Sequence, residues 1–213
     1  MPFDTINSNF ALKKLHCLYI IVNFGKKSIM QAEGQQIVNA NRGYQNLLCY
    51  KKAVVIYDLT FKFCARFLDK RDRTYDQMVQ AARSGKQNIV EGYVDRATSF
   101  EMALKLYNIA RGSLAELRED YIDYLRARGM TQWADGSKEK ETMRRLGSQH
   151  NDSEFFMELA DTRGDEVVAN MLIVLLYQAD HLLFNFIKCE ERSFLDDGGF
   201  REQLYNARVK SRK

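Results

Sequence analysis

A chain of 213 residues with 46% hydrophobic and 12% aromatic content can bury a substantial core as one domain. Its one proline, Pro2, leaves the rest free of that helix breaker, which favours an all-α protein. The net charge of +4 is modest, and four cysteines at 17, 49, 64 and 189 show neither CxxC nor Cys/His spacing. They fit a reducing, cytoplasmic setting, with Cys49 and Cys64 as small hydrophobes, and argue against a metal or disulfide role.

The distribution of charge says more than its sum. Residues 51–96 carry ten Lys/Arg against six Asp/Glu and 201–213 carry five against one, whereas 97–200 carry twelve against nineteen. Two basic regions flanking an acidic middle suit a surface that attracts an anionic partner such as RNA or DNA. They equally suit solvated helix faces whose charges pair between helices.

Residues 1–43 read as an N-terminal arm and linker. Leu15 to Phe24 is apolar and follows Lys13 and Lys14, yet ten residues cannot span a bilayer as a helix and no small-x-small site follows promptly. A short strand, an irregular arm, or a start at Met30 are the readings left open, and no membrane partner is expected. From Gln31 to Gly43 the chain is polar, with glycines and asparagines of a linker.

A first long helix is expected from Tyr44 to Asp69. Leu47, Tyr50, Val54, Tyr57, Phe61, Cys64 and Leu68 repeat at alternating three- and four-residue spacing, the seam of a packed helix. A second stripe, Leu48, Val55, Leu59, Phe63 and Phe67, lies on another face. Either other segments cover it or it meets a neighbouring subunit; the second alternative makes it the expected oligomer interface. The remaining face holds Lys51, Lys52, Lys62 and Arg66 and runs into Lys70, Arg71 and Arg73.

The second helix is expected to open on a capping box of Thr74 with Gln77. Its seam, Tyr75, Met78, Ala82, Gly85, Ile89 and Gly92, is small where the others are large, so a neighbouring backbone can come close. Asn88 and Glu91 lie on or beside it and need polar partners, with Arg83, Arg96 and Arg111 as candidates. The third helix, Thr98 to Gly129, carries Phe100, Ala103, Tyr107, Ala110, Leu114, Leu117, Tyr121 and Tyr124 on one seam. Thr98 with Glu101 reads as its capping box and Gly129 as its stop. At about 1.5 Å per residue it is a rod of roughly 45 Å along which something must pack. Gly85 and Gly112, each costing a helix roughly 1 kcal/mol, are expected where a side chain does not fit.

Residues 130–163 read as an insertion: a loop with Trp133 as an anchor, a short charged helix over Lys138 to Leu146, and another over Glu154 to Ala160. The fourth long helix, Asp165 to Cys189, is apolar over most of its circumference and should be the most buried. After Asp196, Asp197, Gly198 and Gly199 comes a basic tail, 196–213, whose Arg201, Arg208, Lys210, Arg212 and Lys213 are candidate phosphate contacts. The whole reads as an antiparallel up-down four-helix bundle over 44–195, with the insertion between its third and fourth long helices.

Asn88, Glu91 and Gly92, followed by Ala110, Arg111, Gly112, Ser113, Leu114 and Glu116, carry a family resemblance. The stretch RTYDQMVQAARSGKQNIVEGY and the later NIARGSLAEL resemble the four-helix-bundle proteins encoded in intervening sequences of bacterial 23S ribosomal RNA genes. That superfamily includes the accessory protein of diversity-generating retroelements. The resemblance implies a homopentamer with a basic surface for nucleic acid, and gives Asn88, Glu91, Gly92, Arg111 and Glu116 structural or interface roles. The arm, the insertion and the basic tail depart from the short members.

No enzyme signature is present: no glycine-rich phosphate loop, GxSxG or HExxH, and histidines 16, 150 and 181 fall in different segments. Di-iron bundles need Glu-x-x-His on two helices, and none exists. The expectation is therefore a non-enzymatic, oligomeric adaptor without metal or cofactor. It would bind RNA or DNA non-specifically through Lys62, Arg66, Lys70, Arg73, Arg83 and Lys86, or, in the alternative, serve as a protein–protein assembly subunit.

Overall fold

Every regular element among the described residues is helical. A 3-10 turn, Tyr44–Asn46, leads into α1 (Leu48–Phe67), α2 (Arg73–Asp95), α3 (Phe100–Ala127), α4 (Lys138–Gln149), α5 (Ser153–Asp161) and α6 (Asp165–Asp197). The computed structural model describes residues 43–198 together with Glu202, Tyr205, Arg208 and Val209. The readings of Leu15 to Phe24, Met30 and the linker, and of Arg201, Lys210, Arg212 and Lys213, lie outside the described residues.

Four of the helices begin where a short polar side chain accepts from an otherwise orphaned N–H. Asp72 caps α2 at Thr74 N (2.9 Å), Ser99 caps α3 at Met102 N (3.2 Å), Ser137 caps α4 at Lys140 N (3.3 Å) and Asp152 caps α5 at Phe155 N (2.9 Å). Neither expected capping box forms. Asp72 takes the role read for Thr74, and the Thr98 hydroxyl donates back to Asp95 O, as the tight turn after α2 places it beside that helix end. Glu101 pairs with Lys105. Gly129 ends the segment as expected, in the left-handed region at φ 65°.

The α3 seam is the spine of the core: Ala103, Tyr107, Ala110, Leu114, Leu117, Tyr121 and Tyr124 are all buried. It packs along α2 on one side and α6 on the other, while α1 packs along the same two helices. Contact between α2 and α3 is close because α2 is small there. A Cβ on Gly85 would lie 2.7 Å from Leu114, and one on Gly92 would lie 2.6 Å from the Tyr107 ring. Gly112 differs from expectation. It is exposed with nothing within 4 Å of a built Cβ, because it sits on the solvent side of α3.

α1 shows the main correction. Val55, Leu59 and Phe63, read as an oligomer interface, are 0%, 0% and 1% exposed. They lie in one cluster with Met143 of α4, Phe156 and Ala160 of α5, and Leu172 and Leu175 of α6. The insertion supplies the cover that four long helices alone would lack. Phe67 packs half-buried against this cluster, and only Leu48 remains exposed. The other seam is the less buried one, with Phe61 on the surface.

α6 is longer than expected and mostly buried from Val168 to Ile187. Its Asp165–Asp196 stretch is long and apolar enough to cross a membrane by length and composition. Here the positions concerned pack against α1, α3 and α4. Trp133 anchors the insertion to it: its backbone N–H donates to Asn170 Oδ1 (2.7 Å) and its ring packs against the core.

Candidate functional site

The charged face of α1 is organised around the insertion. Asp58, Lys62 and Arg66 are spaced by four residues on one face of α1, and each reaches across to α5. Ser153, at the start of α5, donates to Asp58 Oδ2 (2.5 Å). At its far end Lys62 Nζ donates to Met157 O (3.2 Å) and pairs with Asp161, and Arg66 Nη1 donates to Ala160 O (3.1 Å). An acid at the N-terminus and two cations at the C-terminus complement the dipole of α5 and satisfy its last carbonyls.

Lys52 does the same for α4, and its burial corrects the expectation that it lies with Lys51, Lys62 and Arg66 on the open charged face. It is 1% exposed, and its Nζ donates to Gly147 O (2.6 Å) and His150 O (2.9 Å) beyond the last turn of α4, with the Phe156 ring 5.4 Å away. Burial pulls its pKa down to about 8, against a smaller upward pull from Asp152. The available signal was its place between Leu48 and Val55 or Leu59, on the stripe that proves to be core.

The remaining cations of the expected set have different surroundings. Lys86 Nζ lies over the Tyr57 ring (3.9 Å). Lys70, Arg73 and Arg83 are exposed. Arg73 borders a groove of about 670 Å³ between α2 and α3 whose other charged groups, Asp76, Glu116 and Asp120, are acidic. Partial burial, with the charges of Asp123 and Glu116, raises the Asp120 pKa. The groove itself thus carries three acids against one cation.

The polar residues of the α2–α3 motif separate as well. Asn88 donates to the Ser84 carbonyl and hydroxyl (2.9 and 3.1 Å), and Ser84 shares a hydrogen bond with Ser113 of α3 (3.0 Å). Glu91 and Glu116 are exposed, so Glu91 needs no buried partner. The expected arginines turn to α6: Arg96 pairs with Glu190 (2.8 Å), and Arg111 makes a forked pair with Asp180 (2.7 and 3.4 Å). Burial raises the Glu190 pKa although Arg96 opposes it, and pushes the Cys49 and Cys64 thiols up to about 12. Both thiols are held protonated, opposite to the lowered pKa of a nucleophilic cysteine. Among the described residues no three His, Cys, Asp or Glu side chains come together as a set that could hold a metal.

One surface stands apart. α6 exposes Tyr177, His181, Phe184 and Lys188, successive positions of one helical stripe. Cations of α3 and α6 sit on its rings: Arg118 over Tyr177 (4.6 Å), Arg111 and Lys188 over Phe184 (5.2 and 5.6 Å). Beside it a cleft of about 430 Å³ opens between α4 and α6, with Leu48, Val174, Tyr177 and Leu182 as its apolar wall. Gln178, which also lines it, links the two helices through Nε2 donating to Arg144 O (2.8 Å). No family model, curated protein or solved structure matches the chain.

Proposed function

We propose that this protein is a non-enzymatic helical adaptor that works by assembling with protein, its four long helices α1, α2, α3 and α6 forming an antiparallel up-down bundle clasped by α4 and α5. One observation carries the reading. Lys52, Lys62 and Arg66 are engaged in holding the insertion, while α6 leaves aromatic side chains exposed around a cleft. Aromatic and arginine side chains around an apolar recess are the composition of protein interfaces, and an exposed apolar patch beside them supports an interaction site.

The nucleic-acid reading keeps a support in Lys70, Arg73 and Arg83, which are exposed cations. Fluorescence anisotropy with a labelled structured RNA at low and physiological salt decides between the two. The adaptor reading expects no saturable binding at physiological salt, and no difference between the parent and an Arg73→Glu, Arg83→Glu variant. Affinity that falls steeply with salt and disappears in that variant would replace it with the nucleic-acid reading.

A further inference from the structure

We infer that the exposed face of α6 is a two-fold self-association surface, in which Phe184 of each copy enters the α4–α6 cleft of the other. This deepens the assembly reading above and rests on it. Protrusion and recess lie on the same helix: Phe184 is 41% exposed, and the cleft is bordered on α6 by Val174, Gln178 and His181. Their centres are some six residues apart, roughly 9 Å along the axis. A surface carrying both a knob and a hole fits a second copy of itself when the two are related by a two-fold axis, which closes the assembly at a dimer. Here the axis passes near His181, midway between them.

Charge and rigidity favour the same occupant. Each cation on the face already has an acid of its own chain: Arg111 with Asp180, Arg118 with Glu119, Lys188 with Glu191. Two copies therefore bring no excess like charge together, and a polyanion finds no excess positive charge. The cations seated on Tyr177 and Phe184 restrict those rings in advance, which lowers the ordering cost of contact. A phenyl ring entering a 430 Å³ recess walled by Leu48, Val174 and Leu182 supplies the buried aromatic anchor that dominates most interfaces.

Light-scattering mass of the full chain at about 100 μM, well above a low-micromolar Kd, is the test. The expected mass is two chains, falling to one in Phe184→Glu and, independently, in Leu48→Arg on the opposite side of the contact. Both positions are exposed, so at a concentration dilute enough for the parent itself to be a single chain the circular dichroism spectrum and melting temperature should stay at the parent values. In a background with Cys17 and Cys189 replaced by serine, His181→Cys should cross-link chain to chain under mild oxidation, while Asn108→Cys on α3 should not. A two-chain mass that survives both charge substitutions overturns the inference. So does a five-chain mass, which would retain assembly and remove this surface. A one-chain parent also overturns the inference and leaves the assembly reading to a partner other than this chain.

Discussion

Three glycines in neighbouring helices should respond to the same substitution with opposite sign. Gly92→Ala places a Cβ 2.6 Å from Tyr107 Cε1 and 3.1 Å from Ala103 O. The ring cannot swing away, since Tyr107 is fully buried with its edge against Phe186 at 5.2 Å. Overpacking of this kind costs about 1 to 3 kcal/mol, against which alanine recovers roughly 1 kcal/mol of helix propensity; the net loss is up to about 2 kcal/mol. Gly85→Ala meets Leu114 Cγ at 2.8 Å and should lose a similar amount. Gly112→Ala meets nothing, so the propensity gain stands and stability should rise by up to about 1 kcal/mol. For a domain of this size 1 kcal/mol moves Tm by about 2 to 4 °C, so Gly92→Ala and Gly112→Ala should melt some 2 to 12 °C apart. Thermal and urea unfolding followed by circular dichroism read this directly. Equal shifts for the pair, or a gain at Gly92, would refute the close α2–α3 approach.

Leu114→Ala should cost about 2 to 5 kcal/mol, as Leu114 is 2% exposed and fills the space beside Gly85; a loss under about 0.5 kcal/mol in urea unfolding would contradict its place in the core. Lys52 gives a pH signature. Its folded pKa of about 8 lies below the ordinary 10.5, so the unfolded chain holds more protons between those values and stability should rise with pH across that window. Cys49 and Cys64, raised to about 12 from 9.0, act in the opposite sense above pH 9. The parent should therefore gain on Lys52→Met by up to about 3 kcal/mol between pH 8 and 10.5, a comparison in which the thiols cancel; a flat difference would mean that the ammonium is not penalised. Arg66→Ala removes a capping donor from α5, and hydrogen exchange at the end of α5 should quicken with little change in α2 or α3.

The long helices were legible because each needs only a local pattern. The α3 seam from Ala103 to Tyr124 is buried as its spacing demands, and period alone specifies that face. α1 marks where local pattern stops. It carries two apolar stripes, and nothing in its own residues says which one is core; that choice is made by α4, α5 and α6, which bring Met143, Phe156 and Leu172 onto Val55, Leu59 and Phe63. The charges followed the same rule. A lysine on a helix reads as solvated until another element ends beside it, and Lys52, Lys62 and Arg66 owe their roles to carbonyls about 95 residues away in sequence. The α6 stripe of Tyr177, His181 and Phe184 was hidden for the converse reason. In a helix apolar nearly all round, the few residues left outside look the same as those buried, and only the packing of α3 and α4 on either side shows which face remains open.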